Sequence, residues 1–214
     1  METIISSEQL TYLDGLRNET DPLILEMEDY AGKHRIPILD WKAAEFLEQL
    51  IMAQRPDRVL EIGTAIGYSS IRIARKLRKR GILHTIEVSK DNIPLAKSNI
   101  EKAHLEEKIK IIDGDALEIM PGLKKKYDFI FLDADKEDYE KLLEMSLVLL
   151  RKRGVIFVDN LLWKGFTAAK TVPKKFQNST EHIREFNKKF MSHPELKSSI
   201  LPIGDGIGLG VKVK

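Results

Sequence analysis

Two apolar runs, YDFIFLD at 127–133 and GVIFVDN at 154–160, each stop on an acidic residue. Such near-continuous runs read as strands buried on both faces, which a sheet provides only when it is parallel and covered by helices on either side. If the two strands are neighbours, Asp133, Asp159 and Asn160 meet at one edge of that sheet. Ligands gather at this edge in doubly wound folds. A plainer account is also open: Asp133 could cap a following helix, and Asp159-Asn160 could form a turn.

The rest of the chain alternates in the same sense. RVLEI (58–62), ILHTIEV (82–88) and KIKIID (108–113) read as further strands, and helices are expected over GYSSIRIARKL, DNIPLAKSNIEKAHL and EDYEKLLEMSLVLLRK, the last with an apolar stripe at Tyr139, Leu142, Leu143 and Leu147. Ahead of the sheet, Ser6 with Gln9 suits a capping box, Asp21-Pro22 a helix start, and 41–53 carries Trp41, Ala44, Phe46, Leu47, Leu50 and Ile51 at helical spacing. The end breaks the rhythm: LKSSILPIGDGIGLGVKVK reads as two strands joined at Gly204-Asp205-Gly206, a turn so tight that the pair must be antiparallel. The expected architecture is one α/β domain over 1–214, with N-terminal helices at 1–54 and a doubly wound, mostly parallel core at 55–214 that closes in an antiparallel hairpin.

Composition narrows the chemistry. With no cysteine in 214 residues, disulfides, thiolate zinc sites and cysteine nucleophiles are excluded. The five histidines show no metal spacing, and no G-x-S-x-G elbow is present. The first ten residues lack the pattern of a signal peptide, and no apolar run approaches the roughly 20 residues that span a bilayer, so a cytoplasmic protein without membrane contact is expected. Net charge is only +2, yet unevenly spread. The first 30 residues hold eight acids against Arg17, whereas IRIARKLRKR at 71–80 holds six bases and no acid. That basic run is expected to be a helix packing Ile71, Ala74 and Leu77 on the sheet with its charges in water. A second basic stretch follows Trp163, where Trp163 and Phe166 could stack on a nucleic-acid base or pack in the core.

Three oxygen-bearing side chains at one sheet edge suit a hard divalent cation, Mg²⁺ or Mn²⁺. Beside them, EIGTAIG (61–67) follows the first strand and opens a helix, the nucleotide-binding position of doubly wound folds. Its Gly63 and Gly67 lack the G-x-G-x-x-G spacing of pyrophosphate binders, so a ligand without a diphosphate fits better; equally, the glycines could merely tighten the turn. Glu87, ending the second strand, is placed to accept from ribose hydroxyls. Asp115 is placed to meet an adenine, or to cap a helix beginning near Ala116.

VLEIGTAIGYSS, Glu87, FLDADK and VDNLLWKG together resemble the metal-dependent O-methyltransferases that include the catechol and caffeoyl-CoA enzymes, over about residue 35 to the C-terminus. The resemblance implies a Rossmann-like, seven-stranded class I methyltransferase fold with S-adenosyl-L-methionine as cofactor. It places Glu61, Gly63 and Ser69 around the methionine part, Glu87 on the ribose, Asp115 near the adenine, Ile36 and Ile38 along the cofactor, and Asp133, Asp159 and Asn160 on Mg²⁺ or Mn²⁺. Asp133 would touch cofactor and metal, and act in catalysis with Lys136 as general base. The position of Lys136 at an expected helix start disfavours its charged form, as a base requires; pairing with Glu140 on a solvated face is the ordinary alternative.

Within the family the sequence is most similar to bacterial tRNA 5-hydroxyuridine methyltransferases, which implies methylation of a wobble 5-hydroxyuridine to 5-methoxyuridine, with tRNA as partner. Ala134 and Asp135 stand where vertebrate catechol enzymes have a bulky aromatic pair, so the substrate contacts of those enzymes do not transfer. Catechol-like or CoA-linked phenols are the alternative substrates, and a non-catalytic RNA-binding protein that keeps the cofactor fold is the rival of another class. The acidic N-terminal helices could serve a homodimer contact.

Overall fold

The structure, a computed structural model, describes residues 6–214. Among these residues, seven strands form one sheet: β1 (Arg58–Ile62), β2 (Ile82–Glu87), β3 (Ile109–Asp113), β4 (Tyr127–Leu132), β5 (Leu150–Val158), β6 (Leu196–Leu201) and β7 (Ile207–Lys212). They lie in the order β3-β2-β1-β4-β5-β7-β6. The first five run parallel, and β7 is antiparallel to both β5 and β6. Strand order reverses between β1 and β4, the switch point at which such sheets open a crevice. The expected fold class is therefore the observed one, with one addition: the terminal hairpin folds back so that β7 lies inside and β6 takes the edge.

Side chains of the central strands alternate between two cores. Phe129, Phe131, Val155 and Phe157 join the core under helices α2 (Pro22–His34), α3 (Trp41–Gln54), α4 (Tyr68–Lys76) and α5 (Asn92–Lys102). Ile130, Leu132, Ile156 and Val158 join the opposite core with α7 (Tyr139–Leu149) and α8 (Gln177–Ser192). Each such side chain contributes about 1.5–3 kcal/mol on burial. A slip of one residue would send every one of them to the wrong face, so the register is strongly specified.

The N-terminal caps form as expected. In α1 (Ser7–Gly15) Ser6 and Gln9 cap each other, and Asp21 accepts from the amides of Leu23 and Ile24 ahead of α2. The basic run at 71–80 differs from expectation: its apolar stripe packs inward, but its charges are not all solvated. Arg72 is 4 % exposed and bonds Glu48 at 2.6 Å and Glu19 at 3.2 Å, while Arg75 meets Asp21 and Arg78 meets Asp57. Acids of α3 and of the segments that flank the early helices thus neutralise bases in and just after α4. Removing one partner of the buried Arg72 set would cost about 3–5 kcal/mol.

Two boundaries also differ. The helix expected over 137–152 stops at Leu149, and β5 begins at Leu150 with a register shift opposite Tyr127 and Phe129. Leu150 is needed as a buried strand partner, and Arg151, Lys152 and Arg153 are exposed in the irregular stretch. The basic stretch after Trp163 contains a full helix, α8, which seats Thr180, Ile183, Phe186 and Phe190 against the sheet. No helix among the described residues is long and apolar enough to cross a membrane.

Candidate active site at the carboxyl edge of the sheet

Register fixes which residues share a level just past the strands. Ile86 pairs with Ile62, Ile62 with Leu132, and Leu132 with Val158. The next residues, Glu87, Gly63, Asp133 and Asp159, therefore stand in one row. The ladder extends into them: Gly63 donates to Ile86 O (3.0 Å), Asp133 to Ile62 O (2.9 Å) and Asp159 to Leu132 O (3.1 Å). Neighbouring strands lie about 4.8 Å apart, so Asp133 and Asp159 are set side by side on one face.

Gly63 is the member of this row without a side chain, and the reason is local. Its φ is +98°, and a Cβ there would stand 1.8 Å from the Asp133 carbonyl oxygen. Close approach of β1 and β4 thus requires glycine before any ligand is considered. Gly67, at φ +85°, caps α4.

The row forms part of the lining of a cleft of about 530 Å³. Gly63, Glu87, Asp115, Asp133, Lys136, Asp159 and Asn160 all line it, as does Ile38. Three expected cofactor residues do not. Glu61 is fully buried beneath the turn, where it accepts from Ser69 Oγ at 2.5 Å and from Ser70 Oγ. Ser69 is spent on that contact, and Ile36 packs with the core. These residues brace the cleft from behind.

Glu87 is 7 % exposed, and its carboxylate organises the turn. Oε2 accepts from Thr64 N (3.1 Å) and Ala65 N (2.7 Å), and Oε1 from Ser89 N (2.8 Å). Oε2 is thereby saturated, and Oε1 keeps one lone pair for a further donor. Asp115 takes the capping role, accepting from Leu117 N at 2.8 Å to start α6 (Ala116–Ile119), and it also lines the cleft.

On the other side of the switch point, Asp159 is 4 % exposed. Burial, and then the charge of Asp133, push its carboxyl up to about 7. Burial likewise pushes Glu61 up to about 7, against the serine hydrogen bonds. Lys136 does not pair with Glu140. Its Nζ reaches Tyr139 Oη (2.7 Å), Ala134 O (2.9 Å) and Asp133 Oδ1 (3.3 Å), and buried Tyr139 in turn donates to Asp159 O (3.0 Å).

Among the described residues, no three His, Cys, Asp or Glu side chains cluster as a metal site. A cation at Asp133 and Asp159 would depend on the Asn160 amide for a third protein oxygen, and two carboxylates with an amide fit Mg²⁺ or Mn²⁺ in donor chemistry. Sequence reasoning missed Asp205. It lines the cleft 3.4 Å from Asn160 Nδ2, carried there by the hairpin turn, in which the sequence shows only a reversal between strands.

The acids lining the cleft are Glu87, Asp115, Asp133 and Asp159 from the strand ends, with Asp135, Glu137, Asp138 and Asp205 from the loops, against Lys136 and Lys164. The aromatic residues expected to meet a nucleic-acid base, Trp163 and Phe166, are both engaged with Phe176. Phe166 and Trp163 pack on Phe176, at 5.1 and 6.3 Å between centroids, and Arg184 ties the carbonyls of Phe166, Thr167 and Ala169.

Comparison with known proteins agrees with this geometry. A family model described as O-methyltransferase matches residues 4–213. Caffeoyl-CoA O-methyltransferase 2 of Petunia hybrida is 32% identical over 202 residues, covering 89% of this chain and 83% of its own. The O-methyltransferase of Bacillus cereus, solved in complex with SAH, superposes with a TM-score of 0.83 at 28% identity, over 94% of this chain and 96% of its own. TomG of Streptomyces achromogenes, an O-methyltransferase involved in tomaymycin synthesis and solved with SAM, gives a TM-score of 0.84 at 25% identity over 95% of both chains. This chain belongs to the S-adenosylmethionine-dependent O-methyltransferases of the caffeoyl-CoA type.

Proposed function

We propose that the chain methylates one oxygen of a small aromatic molecule carrying two adjacent oxygens, a catechol-type ring either free or linked to CoA. The observation that carries this reading is the row Glu87, Gly63, Asp133, Asp159, with Asn160 beside it, in one cleft. It sets Gly63, on the side expected to hold the cofactor, one strand step of about 4.8 Å from Asp133, on the side expected to hold the metal, which supports the reading. Asp133, Asp159 and Asn160 would hold Mg²⁺ or Mn²⁺, which when bound lowers the pKa of a coordinated hydroxyl and fixes its direction.

The chain's own groups do the remainder. Glu87 accepts from a ribose hydroxyl with the spare lone pair of Oε1. Lys136, steadied by Tyr139 Oη and Ala134 O, takes the proton of the acceptor hydroxyl at Nζ. Positioning supplies much of the remaining acceleration.

The excess of acids in the cleft and the engagement of Phe166, Phe176 and Arg184 favour a small molecule over tRNA. The wobble-uridine reading keeps one supporting feature, the exposed Lys174 and Lys175 in a short turn before α8. Purified protein with S-adenosylmethionine and Mg²⁺ should methylate a catechol acid or its CoA thioester, detected by mass, and should stop in excess chelator. Turnover on tRNA containing 5-hydroxyuridine, with none on either catechol, would overturn the proposal. Lys174→Glu combined with Lys175→Glu sharpens the choice. Small-molecule turnover should stay within about 2-fold, whereas a tRNA enzyme would bind its substrate more weakly and with a flatter salt dependence.

A further inference from the structure

We propose that Asp205 is a positioning residue for metal binding: it orients the Asn160 amide so that the oxygen, and not the nitrogen, faces Asp133 and Asp159. The proposal rests on the metal reading above and deepens it. An asparagine amide has two ends of nearly equal shape, one an acceptor and the other a double donor. Only the oxygen can ligate a cation, so an asparagine ligand needs something to decide which way it points. An ionised carboxylate offers acceptors only, and Asp205 Oδ2 is placed against Asn160 Nδ2 at 3.4 Å. With the NH₂ held there, the amide oxygen is left for the cleft.

The backbone shows why this partner comes from a distant part of the chain. The loop after β5 holds Asn160, Trp163 and Lys164 at φ +64°, +47° and +56°, left-handed conformations that L-residues adopt at a cost. The hairpin turn clamps that loop. Leu161 N donates to Gly206 O and Leu162 N to Asp205 O, both at 2.8 Å, and Lys164 N donates to Asp205 Oδ1. There is no slack: a Cβ on Gly206 would fall 2.4 Å from Leu162 Cγ and 2.5 Å from Leu162 N. On its other side Asn160 N donates to Asp159 Oδ1 at 2.7 Å. Asn160 is therefore pinned by its backbone to one expected ligand and by its side chain to Asp205. A second-sphere acceptor of this kind is typically worth 10–100-fold in metal affinity.

The test is Mn²⁺ binding by the full chain, followed by electron paramagnetic resonance without cofactor or substrate. Asp205→Ala should weaken Mn²⁺ binding about 10–100-fold relative to the parent protein. Asp205→Asn should weaken it similarly with an unchanged Tm, because with its oxygen on Lys164 N it presents an NH₂ to Asn160. The deciding background is Asn160→Asp, whose two oxygens are equivalent and need no orientation. There Asp205→Ala should change affinity by no more than about 2-fold. An equal loss in both backgrounds would show Asp205 to be a direct ligand or a general prop, and no loss in either would show it to be idle; both overturn the proposal. Absence of Mn²⁺ binding by the parent protein would instead overturn the metal reading itself.

Discussion

The two halves of the cleft solve opposite problems. On the β1–β2 side the polar groups already have partners: three backbone amides bind Glu87, and two serines bind Glu61. On the β4–β5 side Asp133 and Asp159 stand in adjacent strands at the same level, and their repulsion helps to push Asp159 up to about 7. The first half is a cradle whose carboxylates are already bonded within the protein. The second is charged and incomplete by construction, and a cation would relieve it.

The largest test of this contrast is Asp159→Ala. Methyl transfer should fall by at least about 10³-fold, some 4 kcal/mol of barrier, while S-adenosylmethionine affinity by calorimetry stays within about 3-fold. Parallel losses in both measurements would mean that the halves are not separable.

Gly63→Ala attacks the point where the halves touch. The new methyl meets the Asp133 carbonyl and must also adopt a positive φ, so a stability loss of about 3 kcal/mol or more is expected in denaturant titration. A variant as stable as the parent would show that β1 and β4 can separate at their ends.

Glu61→Gln probes the cradle alone and has the smallest effect. Below its ordinary value of 4.5 the carboxyl is protonated in both folded and unfolded chains. Between 4.5 and about 7 the folded protein keeps a proton that the unfolded chain has released. The stability contributed by protonated Glu61 is therefore full below 4.5 and lost as pH rises through about 7. The parent should lose on the order of 3 kcal/mol more than the glutamine variant between those limits. Identical pH profiles would show that Glu61 is ionised within the fold.

Much of this was legible because parallel strands advertise themselves. The apolar runs ending at Leu132 and Val158 marked both strand ends, so the acids that follow them could be placed before their register was known. The capping role of Asp115 was legible too. What escaped notice depended on distant partners. Thr180, Ile183, Phe186 and Phe190 follow a helical period, but seven bases between Lys164 and Lys189 drew attention to charge instead. Leu150 and the three basic residues after it suit a helix end as well as a strand, and pairing with Tyr127 decides between them. Arg72 reads as solvated until Glu19 and Glu48 are seen beside it. Asp205 in a G-D-G turn looks like ordinary turn chemistry, and its second role exists only because β7 returns to pair with β5.

That return has a consequence during synthesis. The parallel strands are all translated by residue 158, yet the open side of β5 waits for β7, which comes after α8 and β6 in the chain. A chain stopped before Ile207 would hold every residue of the β1–β2 side, display a bare strand edge prone to aggregation, and lack the clamp on Asn160. The return of β7 covers that edge and holds the loop after β5 in the same step.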